Sequence, residues 1–221
     1  MGKKAGVSHR SRGAVASRYP VHVTLRLEKG LPSLRVKATH RVLRDVFREA
    51  KERLGMRIVH YSVQSNHVHL LVEATGRPAL SRAMQGLTIR MAKRLNRLWE
   101  RVGRVFSDRY HDHVLKTPTE VRHAISYVLN NARKHGRKLK ELLDPFASGL
   151  WFDGWKEGAP YRTEDEDHFA PVADARTWLL NAGWRRSRRP ISFQEVPRAP
   201  ARHPRRSHSP GGSCLGCDRR G

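Results

Sequence analysis

Val21, Val23, Leu25 and Leu27 alternate with His22, Thr24, Arg26 and Glu28. That period of two predicts a half-buried strand. The period then lengthens. Through THRVLRDVFREAKERLG, residues Val42, Leu43, Val46, Phe47, Ala50 and Leu54 form the apolar stripe of a helix, with Thr39 as its expected cap and Gly55 as its stop. MRIVHYSVQ and HVHLLVEA follow as two strands joined by a turn at Ser65 and Asn66. Tyr61, alternating with Val59 and Val63, reads as a core residue. A second helix, roughly 79–99, buries Leu80, Ala83, Met84, Leu87, Met91, Leu95 and Leu98, and its other face carries Arg82, Arg90, Lys93, Arg94 and Arg97. VFSDRYHDHVLK returns to strand. TPTEVRHAISYVLNNARKHG then opens a last helix, capped by Thr117 with Pro118 in its first turn and ended by Gly136. The order βαββαβ plus a helix predicts an α+β, ferredoxin-like split βαβ fold, an antiparallel sheet backed by helices.

The flanks lack such patterns. Residues 1–18 are basic and rich in Gly and Ser, and read as a flexible N-terminus before a domain spanning 19–140. WFDGWKEG and ARTWLLNAGW carry four of the five tryptophans, so 141–184 is expected to pack as an accessory segment. From Arg185 to Gly221, ten arginines stand against Glu195 and Asp218 among Pro, Ser and Gly, which predicts a basic, disordered tail.

Charge changes the picture most. Lys and Arg number 44 against 20 Asp and Glu, a formal net charge of +24, and such a field draws polyanions, nucleic acid above all. A membrane surface fits less well, since no basic helix exposes an apolar face to match. No run is apolar enough to span a bilayer and no signal peptide is visible. Cysteine is confined to Cys214 and Cys217, a lone CxxC without the second pair that a zinc site would need. These features together predict a cytoplasmic, nucleoid-associated protein without disulfides.

The candidate chemistry begins on the third strand. There His67, His69, Leu71 and Glu73 face one way, while Val68, Leu70 and Val72 face the other. Two imidazoles on one sheet face can converge on a divalent ion, although histidines also decorate exposed sheet faces without any such role. The last helix bears on the choice. Val121, Ala124, Ile125, Val128 and Ala132 make its apolar stripe, whereas Glu120, His123, Tyr127, Asn131 and Lys134 cluster on another face. Tyr127 is therefore off the core stripe of its own helix. Asn131, one turn beyond it, could complete a metal site with the histidines, and His123, one turn before, is the rival ligand. A second His-x-His, His111 to His113, has Asp112 at its centre and reads more simply as a polar edge strand.

SNHVHLLVE resembles the His-hydrophobic-His motif of the HUH single-strand nucleases, and YVLNNARKHG resembles the helix bearing the lone nucleophilic tyrosine in their single-tyrosine transposase branch. Within that branch the likeness is to the REP-associated tyrosine transposases, relatives of insertion-sequence transposases, and it covers roughly residues 15–140. Many relatives have Pro where Ser65 stands and Asn-Pro where this chain reads Asn131-Ala132. The resemblance implies a nuclease and strand transferase for single-stranded or hairpin DNA. Tyr127 would be the nucleophile, and His67, His69 and Asn131 would be ligands of Mg²⁺ or Mn²⁺. Phenols are poor nucleophiles at neutral pH, so Tyr127 would need help from the metal, Lys134 or water. The insertion-sequence relatives imply a dimer, the REP-associated ones a monomer. The basic residues of the second helix, Arg82, Arg90, Lys93, Arg94 and Arg97, are candidate phosphate contacts. The alternative is a non-catalytic nucleic-acid binder, since split βαβ sheets also serve as RNA-binding modules; those carry aromatics where this chain has His67 and His69.

Overall fold

The computed structural model describes residues 13–197 apart from 135, 137, 138 and 140. Five strands, β1 (Val21–Arg26), β2 (Glu52–Arg53), β3 (Met56–Val63), β4 (His67–Ala74) and β5 (His111–Val114), form one antiparallel sheet in the order β2-β3-β4-β1-β5. Helices α1 (Lys37–Ala50) and α2 (Arg77–Leu98) cover the face carrying Val23, Leu25, Val68, Leu70 and Val72. Alternation along β1 and β4 dictates that burial, because every second side chain must leave water together. The split βαβ architecture is the one the hydrophobic pattern predicts.

The opposite face is also covered. Helix α3 (Pro118–Leu129) lays Val121, Ile125 and Val128, all fully buried, against Leu71 and Val59. A bulge between Ile58 and His60 turns Val59 toward α3. Tyr61, by contrast, points into the α1 side, where its ring lies 4.9 Å from Phe47. Tyr61 is thus a core residue as expected, and burial pushes its phenol pKa upward.

Several boundaries differ from the pattern. Thr39 is buried inside α1 rather than capping it; the helix starts after Val36. The chain just ahead is pinned by Arg35, which donates to Val63 O at 2.9 Å and to both oxygens of Asp144 at 2.8 Å. At its other end α1 stops at Ala50, and Leu54 is exposed rather than part of the stripe. Leu54 and Gly55 have φ of 55° and 74° and turn the β2–β3 hairpin, a conformation that two-residue hairpin loops require. A Cβ on Gly55 would come 2.7 Å from Thr75 Oγ1. Leu98, at the end of α2, is likewise exposed. The expected single last helix is broken at Asn130, and a separate turn, α4 (Asn131–Lys134), follows it. At its start α3 matches the sequence: Thr117 and Glu120 form a reciprocal capping box.

Both flanks join the fold further than their composition suggests. Val15 is buried in the first core, and Gly13 O accepts from Arg77 Nε at 2.8 Å. At the other end, Phe152, Trp155, Leu179, Leu180, Trp184 and Ile191 complete the layer over α3. Residues 185–197 are therefore not part of a disordered tail; the remainder of it, with Cys214 and Cys217, lies outside the described residues. Polarity holds this layer in place as well. Arg122, on α3 and 6% exposed, forms a two-pronged ion pair with Glu195 and donates to Arg189 O and Pro190 O. Ser126 Oγ donates to the same carboxylate at 2.7 Å.

Burial alone would raise the Glu195 pKa, but the hydrogen bonds from Arg122 and Ser126 outweigh it and hold the carboxyl below its usual range. A depressed folded-state pKa means stabilisation that is present above the unfolded value and lost as pH falls through the folded one. Glu195→Gln should lower unfolding free energy by about 2 kcal/mol at pH 7. Urea titrations should show that difference shrinking toward zero at acid pH; a pH-independent gap would show that the ion pair is not its source.

Candidate active site

Pairing of β1 with β4 sets Thr24 opposite His69 and Arg26 opposite His67, with His22 opposite Leu71. Directly opposed residues share a sheet face, so His22, Thr24, His67 and His69 form one polar row beneath α3. His67 is half-buried and His69 is 5% exposed, with their ring centroids 4.7 Å apart.

Tyr127 descends from α3 onto this row. Its ring lies edge-on to His69 at 5.1 Å and to His22 at 5.8 Å between centroids. Lys134 Nζ sits 4.4 Å from the centroid of the same ring, in cation–π contact. Asn131, one turn beyond Tyr127, is fully buried, and neither its Oδ1 nor its Nδ2 has a hydrogen-bond partner among the described residues. Leaving a buried amide unsatisfied costs roughly 1–3 kcal/mol, so the position is held at a loss unless something ligates it.

His22 was not legible as a site residue. Its Nε2 lies 3.2 Å from His69 Nδ1, and Thr24 Oγ1 lies 3.1 Å from the same nitrogen. Burial, and then charge at His113, push the His22 pKa down to about 4, which keeps the ring neutral at pH 7. The signal was latent in the alternation: once β1 and β4 are paired, His22 and Thr24 must share the His69 face.

The remaining candidates are distributed differently. His123 is exposed and shares none of these ring contacts among the described residues. His111 and His113 align with Thr24 and His22 on edge strand β5, at the rim of the row, while Asp112 is paired with Arg77 at 2.7 Å. Arg82, Arg90, Lys93, Arg94 and Arg97 belong to α2, which covers the opposite sheet face, so the fold does not bring them to Tyr127. Arg94 is bound to Glu49 of α1 at 2.7 Å, and Arg90 is half-buried; Arg82, Lys93 and Arg97 are exposed.

A divalent cation suits the donors present. Among the described residues no group of three or more His, Cys, Asp or Glu side chains is arranged to hold a metal, so two imidazoles need a donor of another type. The buried Asn131 amide supplies one in kind. Imidazole nitrogen favours Mn²⁺ over the harder Mg²⁺.

The family model described as "Transposase IS200 like" matches residues 16–131. Among solved structures, one of a "REP associates tyrosine transposase bound to a REP hairpin" superposes with a TM-score of 0.55 at 17% identity, covering 77% of this chain and 99% of that one. A transposase structure from Deinococcus radiodurans R1 covers 49% of this chain and 87% of its own at 20% identity, but its TM-score of 0.35 carries no argument. The first likeness shows a shared fold. No curated protein matches the sequence.

A fully buried amide without a partner among the described residues makes a distinctive demand on stability. Asn131→Leu should raise the Tm of the protein in EDTA by roughly 2–4 °C, because it removes an unsatisfied polar group. Calorimetry showing a lower Tm would mean that the amide has a structural partner.

Proposed function

The chain belongs to the IS200-like transposase family, and on that premise we propose that it is a metal-dependent nuclease and strand transferase acting on single-stranded DNA beside hairpins. One observation carries this reading: the Tyr127 ring rests on His69, one turn before a buried amide with no protein partner. A phenol, two imidazoles and a spare amide oxygen are the set that tyrosine-mediated phosphoryl transfer needs. Folding does not require them together.

In this reading the Tyr127 hydroxyl oxygen attacks the scissile phosphorus, and the bond from phosphorus to the 3′ oxygen breaks. The phenol proton goes to water, and the departing 3′ oxygen takes up a proton to become a free 3′-OH. The 5′ phosphate remains esterified to Tyr127, so the reverse attack by a 3′-OH can join strands without another energy source. His67, His69 and Asn131 would hold Mn²⁺ or Mg²⁺, which when bound supplies Lewis-acid polarisation of the phosphate. Lys134, stacked on the ring, offsets negative charge developing on the phenol oxygen. The buried faces around His69 limit water at the covalent link.

Hairpin DNA is the proposed substrate because the REP-associated neighbour was solved on a REP hairpin, and the charge of +24 suits any such polyanion. A monomer is the favoured state, acting on the nucleoid. The alternative of an RNA-binding sheet loses its physical basis. Such modules stack bases on an open sheet face, whereas β4 is buried at every position but His67 and lies between helical layers.

Incubation with hairpin-bearing single strands and Mn²⁺ should yield a DNA-linked peptide containing Tyr127 in mass spectra. Tyr127→Phe should bind the hairpin unchanged and form no adduct; an adduct persisting in that variant would reassign the nucleophile. His67→Ala and His69→Ala should each weaken Mn²⁺ binding in calorimetry by more than the roughly 10–100-fold that outer-sphere partners are worth. Unaltered affinity in both would remove the histidines from the metal site.

A further inference from the structure

Each β4 histidine is gripped at the same ring nitrogen. His67 Nδ1 lies 2.8 Å from Asn66 Oδ1, the amide oxygen of its own neighbour in the turn. His69 Nδ1 lies 3.1 Å from Thr24 Oγ1, across the β1–β4 ladder, with His22 Nε2 at 3.2 Å on the same nitrogen. A neutral imidazole can ligate a cation only through the nitrogen that carries no proton, and the hydrogen bond at the other nitrogen decides which one that is. An amide oxygen can only accept. Contact with Asn66 Oδ1 therefore places the proton of neutral His67 on Nδ1 and leaves Nε2 as the donor to metal. A hydroxyl can accept as well as donate, and Thr24 in the accepting role does the same for His69.

We propose that Asn66 and Thr24 are positioning residues: each accepts the Nδ1–H of one β4 histidine, so that both rings present Nε2 to a single divalent cation. This inference rests on the reading of His67 and His69 as metal ligands. The two contacts differ in strength for a physical reason. Asn66 is exposed, so water competes for its oxygen and can replace it. Thr24 is half-buried and its partner His69 is 5% exposed, so water does not readily take over, and His22 Nε2 is the competing partner at that nitrogen. Thr24 carries the larger share of the effect. Both side chains, one in the turn and one on the neighbouring strand, thereby bear on ligation without being ligands themselves.

The test uses the full chain labelled with ¹⁵N. In the metal-free wild type, ring nitrogen shifts should report the Nδ1–H tautomer for both His67 and His69; an Nε2–H tautomer at either ring overturns the assignment for that ring. Thr24→Val should raise the Nε2–H population of His69 and weaken Mn²⁺ binding in calorimetry by about 100-fold, and Asn66→Ala should do so at His67 by about 10-fold. Thr24→Ser and Asn66→Asp, which keep an acceptor in place, should recover wild-type tautomers and most of the affinity. Affinity lost without a tautomer change would overturn the proposal in favour of a packing role. His67→Ala separates the two levels. If it weakens Mn²⁺ binding while Thr24→Val and Asn66→Ala do not, only this inference fails; if His67→Ala itself binds Mn²⁺ normally, the ligand reading fails beneath it.

Discussion

The second face of the sheet must be covered, and α3 is too short to cover it alone. Strand β4 is apolar on both faces near its centre, with Leu71 turned toward α3 and Leu70 away from it. Twelve helical residues shield part of that surface. The rest is filled by a poorly patterned stretch of chain ending at Ile191 and Phe193, tied to α3 through Arg122 and Glu195. The height and tilt of α3 over β4 follow from that packing, and so does the place where Tyr127 meets His69. A charge pair thereby helps to set where Tyr127 lies, through a helix that Asn130 also ties to the C-terminal layer.

Within this layer the polar row of His22, Thr24, His67 and His69 breaks the apolar face. Buried polar groups are tolerated when they satisfy one another, and three of these four do so around His69 Nδ1. Asn131 does not. Its amide sits just past the break at Asn130, where the helix has already given up its regular hydrogen bonding and Asn130 Nδ2 turns to Ser192 O. The two adjacent asparagines are thus divided in labour: one ties the helix end to the C-terminal layer, and the other is left with its polar atoms uncommitted.

Much of this was legible where the cause is local. Alternation in β1 and β4, the stripe of α2 short of Leu98 and the capping box of Thr117 and Glu120 are short-range physics, and they appear in the structure where the pattern puts them. The nearness of Tyr127 to His69 was also visible, through spacing and family resemblance. What was not legible depends on distant partners. Thr39 reads as a cap until Arg35 is seen bound to Asp144, more than a hundred residues away. Residues 185–197 read as a solvated basic run until Glu195 is placed on Arg122. Likewise, His22 looks like an outward-facing polar residue until β4 lies beside it. The helical wheel correctly separated the basic side of α2 from its apolar side, but no wheel says on which face of a sheet a helix will lie.

That last point has a consequence for ionic strength. The exposed α2 cations Arg82, Lys93 and Arg97 and the Tyr127 row lie beyond opposite faces of the same sheet, so one short segment of DNA cannot lie against both. Phosphates held at α2 would release counterions, and added salt would weaken that hold steeply. The Tyr127 row lies on the other side of the sheet, where His69 and Asn131 are buried. Salt should therefore bear on the exposed α2 surface more directly than on the enclosed row.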